Sequence, residues 1–244
     1  MTRRLPPLFD DGSPYVDRFG LLLGFTVATV VLLSLVDLSE PLRDPAAEAG
    51  SLVASVLVGA TMLLAMRAAG VARPWQRSAD VVIGAGVLVL VALVVLELVP
   101  AFTPKPGRLA TAPIAVLLLA VLAPVVTVRR LVQHREVTVG TLLGAISAYL
   151  LIPIAFYYVF LTLNDIEAGH FFGSVEPTTS YMYFALTTVT TVGYGDLAPV
   201  AEAHRLLSNF LAIIGQIYLV TFVAMLVSLF IRDHDTRIKR LEGH

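Results

Sequence analysis

The sequence predicts an all-α membrane protein with six transmembrane helices and one shorter segment that enters the membrane and turns back. Three observations carry this expectation. The 244-residue chain is 57% hydrophobic and only 14% charged, with a mean hydropathy of +0.83, outside the range of soluble domains. Its apolar residues fall in long uncharged runs, and about 20 such residues make a helix that crosses roughly 30 Å of hydrocarbon. Stretches such as Val87 to Leu96 are apolar on every side, whereas barrel strands alternate polar and apolar residues, and a lone segment satisfies its own backbone in lipid only as a helix.

The uncharged spans run from Phe19 to Val36, Ala49 to Met66, Val81 to Leu96, Leu109 to Val128, Val137 to Asn164 and Leu206 to Ile231. Residues 1–18 are polar and contain proline, so they are expected as a loose or interfacial segment. The first run is expected as a retained helix: Asp10 and Asp11 follow Arg3 and Arg4, and no A-x-A cleavage site directly follows the run. Pro41 and Pro45 break the chain after the first span, and Pro104, Pro106 and Gly107 break it after the third. Basic residues mark alternate connections: Arg3, Arg4 and Arg18; Arg67, Arg73 and Arg77; Arg129, Arg130 and Arg135; then Arg232, Arg237, Lys239 and Arg240. The other connections lean acidic or mixed, with Asp37, Glu40, Asp44 and Glu48 in the first. Both termini are therefore expected on the cytoplasmic side of the plasma membrane. Arginine outnumbers lysine fifteen to two, which points to a GC-rich bacterial genome. Trp75 is read as an interfacial anchor.

These features also exclude functions. A net charge of −1, with the basic residues confined to short connections, leaves no surface to follow the phosphates of a nucleic acid. The absence of cysteine removes disulfides and thiolate metal sites. The six spans hold no ionisable group of the kind that proton relays or hydrolysis need within a membrane. No enzyme activity, organic cofactor or small-molecule substrate is expected, and membrane lipids are the expected surroundings.

Between the fifth and sixth spans, the middle of the segment from Asn164 to His204 is too apolar for an exposed loop. Pro177 is suited to open a short helix, because its missing N–H would be unsatisfied there anyway, and Thr178 to Val189 would form about three turns. Such a half-helix is too short to span and must return. The return reads TTVGYGD, from Thr190 to Asp196. This segment resembles the TVGYG loops of potassium filters. A dehydrated cation needs oxygens in place of its water, and neutral carbonyl dipoles at successive sites hold it loosely enough to let it leave. Gly193 and Gly195 reach the positive φ angles that inward-facing carbonyls require. The carbonyls of Thr191, Val192, Gly193 and Tyr194 are assigned as ligands of the permeant K+, with the Thr191 hydroxyl closing the inner end. The C-terminal end of the half-helix, near Val189, would turn its partial negative charge toward the ion.

On these residues the sequence resembles the pore module of the tetrameric potassium channel family. The close match runs from Tyr183 to Pro199, with looser similarity over the fifth and sixth spans, while the first four spans resemble the family in number and topology. The resemblance implies a homotetramer around a pore, organised as 1–18 N-terminal segment, 19–130 four-helix sensor-like domain, 131–139 linker, 140–231 pore domain and 232–244 cytoplasmic tail. It places Tyr183 and Phe184 where the family packs aromatic residues on the filter tyrosine, and Thr187 where some members carry an acid paired with the aspartate matching Asp196. Thr190, Gly195 and Asp196 complete the filter support. Gly215 falls where members commonly have a hinge glycine, although close helix packing is an equal reading. Gln216, Leu219, Val223 and Val227 form a stripe implied to line the cavity.

A voltage sensor needs positive charge within the fourth span, and Leu109 to Val128 contains none. A steep response to voltage is therefore not expected. The alternatives are a poorly selective cation channel, which Tyr194 argues against, and a subunit of a potassium uptake transporter, which the single complete filter segment argues against. His170 and His204 flank the filter and are read as solvated loop histidines.

Overall fold

The computed structural model describes residues 18–37, 45–68, 114–133, 139–166 and 170–242. The third expected span, Trp75 and most of the linker, residues 134–138, lie outside the described residues. Six helices are present among them: α1 (Phe19–Leu35), α2 (Pro45–Ala68), α3 (Ile114–Gln133), α4 (Val139–Ile166), the half-helix α5 (Thr178–Val189) and α6 (Glu202–Glu242). Within α4 and α6, the stretches Val139–Asp165 and Glu202–Phe222 are long and apolar enough to cross a membrane, and Phe19–Leu35 and Leu57–Ala68 are shorter apolar helices.

Helix α4 organises the molecule. It packs against α1, α3, α5 and α6, while α2 touches only α1 and α3 among the described residues. Gly144 permits the tightest of these crossings. A Cβ there would lie 2.8 Å from both the Leu131 and the Phe19 side chains, so the absence of a side chain lets α1 and α3 reach α4 together. Several buried threonine and serine hydroxyls in these apolar helices are satisfied locally. Thr26 donates to the Leu22 carbonyl at 2.7 Å, Thr127 to Ala123 at 2.8 Å and Ser147 to Leu143 at 2.7 Å. Thr29 and Thr61 lie within reach of their own i−4 carbonyls too, and their hydroxyls also meet between helices, 2.6 Å apart across α1 and α2. Such a bond ties two helices where burial alone gives little preference for one partner over lipid.

At the end of α4 nearest the half-helix, Phe160, Phe171, Phe172, Tyr181 and Phe184 form one aromatic cluster. Phe171 is its hub, 4.9 Å from Phe160, 4.8 Å from Phe172 and 5.8 Å from Tyr181 between ring centres. His204 joins it, contrary to the expectation of a solvated loop histidine. It is buried in the first turn of α6 and stacks on Phe171 at 4.4 Å. The reason is that α6 begins at Glu202, so His204 already belongs to a helix face that packs inward. His170 is exposed, as expected.

Helix α5 has the bounds read from the sequence. Pro177 precedes it in an extended conformation, φ −62° and ψ 154°, and its carbonyl accepts from the Ser180 amide at 3.0 Å. Helix α3 runs further than the expected fourth span. Arg129 and Arg130 lie inside its last turns rather than beyond them, where positive charge complements the helix dipole. Helix α6 likewise continues past Ile231 to Glu242. No glycine or proline interrupts residues 216–242, and leucine, arginine, lysine and glutamate are all good helix formers.

Candidate functional site

The chain leaves α5 through Thr190, still near helical at φ −83° and ψ −1°, and turns back along the helix it has left. Three successive amides then bind the last helical carbonyls. Thr191 N–H donates to Thr188 O at 3.0 Å, and Val192 and Gly193 N–H both donate to Thr187 O, at 2.9 and 3.2 Å. Across a trans peptide the N–H of one residue opposes the carbonyl of the residue before it. With the amides of 191–193 turned toward α5, the carbonyls of Thr190, Thr191 and Val192 are turned away from it. Two of these belong to the four ligand carbonyls expected from the sequence, and the third, that of Thr190, is read there as filter support. The Thr190 hydroxyl is turned back instead, donating to Leu186 O at 2.7 Å.

Backbone handedness alternates along this segment. Thr191, Gly193 and Gly195 have φ of 60°, 52° and 82°, and the residues between them are not in the positive region. Successive residues of an ordinary strand face opposite sides, and reversing the handedness of every second residue cancels that alternation, so neighbouring carbonyls face one way. A Cβ at Gly193 or Gly195 would meet nothing within 4 Å. It is therefore conformation, not space, that calls for glycine at both. Thr191 adopts the same region with a β-branched side chain, a conformation costing on the order of 1–3 kcal/mol. Counting back in twos from Gly195 and Gly193 is the signal that would have located it.

The remaining expected site residues divide into two groups. Tyr183 faces the segment: its ring lies parallel to that of Tyr194, centres 6.1 Å apart and 4° between planes, and its hydroxyl donates to Asp196 Oδ2 at 2.8 Å. That bond, with the nearby negative charge, holds the Tyr183 phenol above the usual tyrosine range. Phe184 faces the opposite way, into the aromatic cluster, 5.6 Å from Phe160 and 5.2 Å from Phe172. Thr187 contributes through its carbonyl, and its hydroxyl donates to Phe184 O at 3.2 Å. The partner of Asp196 is thus Tyr183 rather than the residue at 187.

Gly215 lies where α6 crosses the end of α5. A Cβ there would sit 2.6 Å from Val189 Cγ2 and 2.8 Å from the Val189 carbonyl oxygen. The same oxygen accepts a bond from the Tyr149 hydroxyl of α4 at 3.2 Å. Tyr149 stacks on Tyr218, whose hydroxyl donates to Ala145 O at 2.8 Å. The crossing leaves no room for a side chain at this position. Gln216 and Leu219 are exposed on α6, and the side chains of Val223 and Val227 lie outside the described residues. Past the segment, Arg205 Nε donates to Pro199 O at 2.9 Å and Val200 N–H to Phe171 O at 3.1 Å, fixing the return to α6.

Chemically, the site offers a row of neutral backbone oxygens on one open side of the chain. Val192 and Tyr194 are 52% and 70% exposed, and the described residues leave the segment uncovered. Such oxygens suit a cation that has shed part of its water.

A 112-residue stretch is 30% identical to the voltage-gated potassium channel Kch of Escherichia coli (strain K12), covering 46% of this chain and 26% of that protein. A 65-residue stretch is 42% identical to potassium channel subfamily K member 16 of Mus musculus, covering 27% of this chain and 22% of that protein. The chain thus spans about a quarter of the length of these curated relatives. No solved structure matches it. Residues 136–232, which hold α4, the half-helix, the glycine-punctuated return and α6 as far as Arg232, match the family model described as Ion channel.

Proposed function

We propose that this chain is one subunit of a potassium-selective channel and that four copies enclose a single pore. The reading rests chiefly on one observation: a TTVGYGD segment leaves a half-helix with its amides bound back to that helix and its carbonyls turned the other way. Each chain supplies one such segment, which forms one wall of a pore. A closed ring of identical subunits supplies the others through heterologous contacts. The exposed apolar face of α6, with Phe210, Ile213, Ile217 and Val220, would then be covered by neighbours or lipid rather than water.

A potassium ion entering the filter exchanges its water for the carbonyls of Thr191, Val192, Gly193 and Tyr194 and for the Thr191 hydroxyl. Ions at successive sites repel one another, so each arrival helps the next to leave. The C-terminal end of α5 adds a partial negative charge at the inner mouth. Tyr183, stacked on Tyr194 and bonded to Asp196, fixes the width of the outer half. The chain crosses the membrane six times with both termini inside, and the four-helix module responds little to voltage.

The test is flux from liposomes holding the purified full-length protein. Potassium is expected to pass at least about a hundred times faster than sodium, with reversal near the potassium potential in bilayers. Gly193→Ala is expected to abolish the preference, because it forces a side chain into a φ that only glycine adopts freely. Equal passage of sodium and potassium by the unaltered protein would refute the proposal.

A further inference from the structure

Helix α5 has a gap in its own local chemistry. Pro177 stands at its N-cap and makes no side-chain cap. Exposed amides at a helix start need an acceptor, and here it comes from 141 residues away. Asp37, just beyond the end of α1, accepts from the Thr178 backbone amide and from the Thr178 hydroxyl, each at 2.9 Å and both on Oδ1. The site is enclosed: Thr178 is buried, and the buried Tyr157 of α4 lies beside both groups. A carboxylate at this position also meets the positive end of the helix dipole.

We infer that Asp37 is a positioning residue for the filter, joining α1 to α5 so that the first helix of the chain sets how the half-helix points. The inference rests on the channel reading above. Twelve residues make a rigid rod of about 18 Å. Its far end is held by Tyr149 and by the contact at Gly215, and its middle holds Asp196 through Tyr183. A rod gripped at both ends has one orientation, and releasing the near end lets it tilt. The Leu186, Thr187 and Thr188 carbonyls, which fix the amides of residues 190–193, tilt with it. Asp37 lies outside residues 136–232. The ion channel domain therefore draws one of its fixed points from the preceding module.

The experiment compares the full-length protein with Asp37→Ala, Asp37→Asn and Thr178→Val in liposomes, by amide hydrogen exchange and by the potassium-to-sodium flux ratio. Caps of ordinary strength change local opening by about 3- to 30-fold. Asp37→Ala is expected to raise exchange by that factor across residues 178–195, beyond the first turn of α5, and to lower the flux ratio. Asp37→Asn keeps an oxygen acceptor and is expected to restore most of both. Thr178→Val removes one of the two donors without disturbing α1, and is expected to act in the same direction by a smaller factor, which keeps the test decisive should the aspartate variants assemble poorly. Faster exchange confined to residues 178–180, or a uniform loss of stability with an unchanged flux ratio, would overturn the inference. If the unaltered protein failed to prefer potassium, the channel reading would fall, while the exchange measurement would still decide whether Asp37 orients α5.

Discussion

At Tyr183, one side chain joins two parts of the return segment, stacking on Tyr194 and donating to Asp196 at 2.8 Å. The two contacts are separable. Tyr183→Phe keeps the ring and removes the donor, so it is expected to leave assembly intact and to shorten the conducting periods seen in single-channel records. The hydrogen bond also sets a pH dependence. Asp196 raises the phenol above its ordinary value of 10.0, so the folded protein binds that proton more tightly than the unfolded chain. The contribution is complete below pH 10, the unfolded value, and is lost as pH rises through the higher folded value. Records taken between about pH 6 and 9 are expected to show no loss traceable to Tyr183. Records at higher pH should approach the behaviour of Tyr183→Phe. A decline below pH 9 that Tyr183→Phe removes would contradict this account.

Among the elements, the two glycines at helix crossings and one on an open face make opposite predictions. Gly215→Ala would press a methyl group to 2.8 Å from the Val189 carbonyl, and backbone cannot yield as a flexible side chain can. A cost of about 1–3 kcal/mol is expected, read as a lower melting temperature together with a disturbed flux ratio, because Val189 ends the half-helix. Gly144→Ala meets the Leu131 and Phe19 side chains at 2.8 Å, away from the half-helix, and is expected to cost stability with the ratio unchanged. Gly24→Ala meets nothing within 4 Å, so the helix propensity of alanine is expected to leave stability unchanged or raise it by up to about 1 kcal/mol. The elements themselves were largely legible. Pro177 and the apolar run after it gave α5 its bounds, and uncharged runs located α1, α2, α4 and α6. Their ends were less legible, because charge marks where a span leaves lipid while helical hydrogen bonding continues, as in α3 beyond Val128 and in α6 beyond Ile231. Two features of the site could not be read at all. Asp37 looked like one of several acidic loop residues, since nothing local pairs it with Thr178, and Phe184 was assigned to the filter although α5 turns it toward Phe160.

For the whole molecule, the tie between α1 and α5 raises the question of what the first module transmits. Voltage is poorly suited. One elementary charge moved through 100 mV is worth about 2.3 kcal/mol, which would change an opening equilibrium about fifty-fold. Residues 114–128 of α3 carry no charge, and Arg129 and Arg130 stand in its last turns. The run from Val81 to Leu96 is likewise uncharged, bounded by Asp80 and Glu97. With no charge placed to move through the field, the open probability of the reconstituted protein is expected to change by less than about tenfold per 100 mV. Arg129→Gln combined with Arg130→Gln should leave that shallow slope as it was. A steep slope abolished by the double substitution would mean that α3 moves as a charged element. The module would then be an electrical sensor, and the bond from Asp37 to Thr178 would be the path by which its movement reaches the filter.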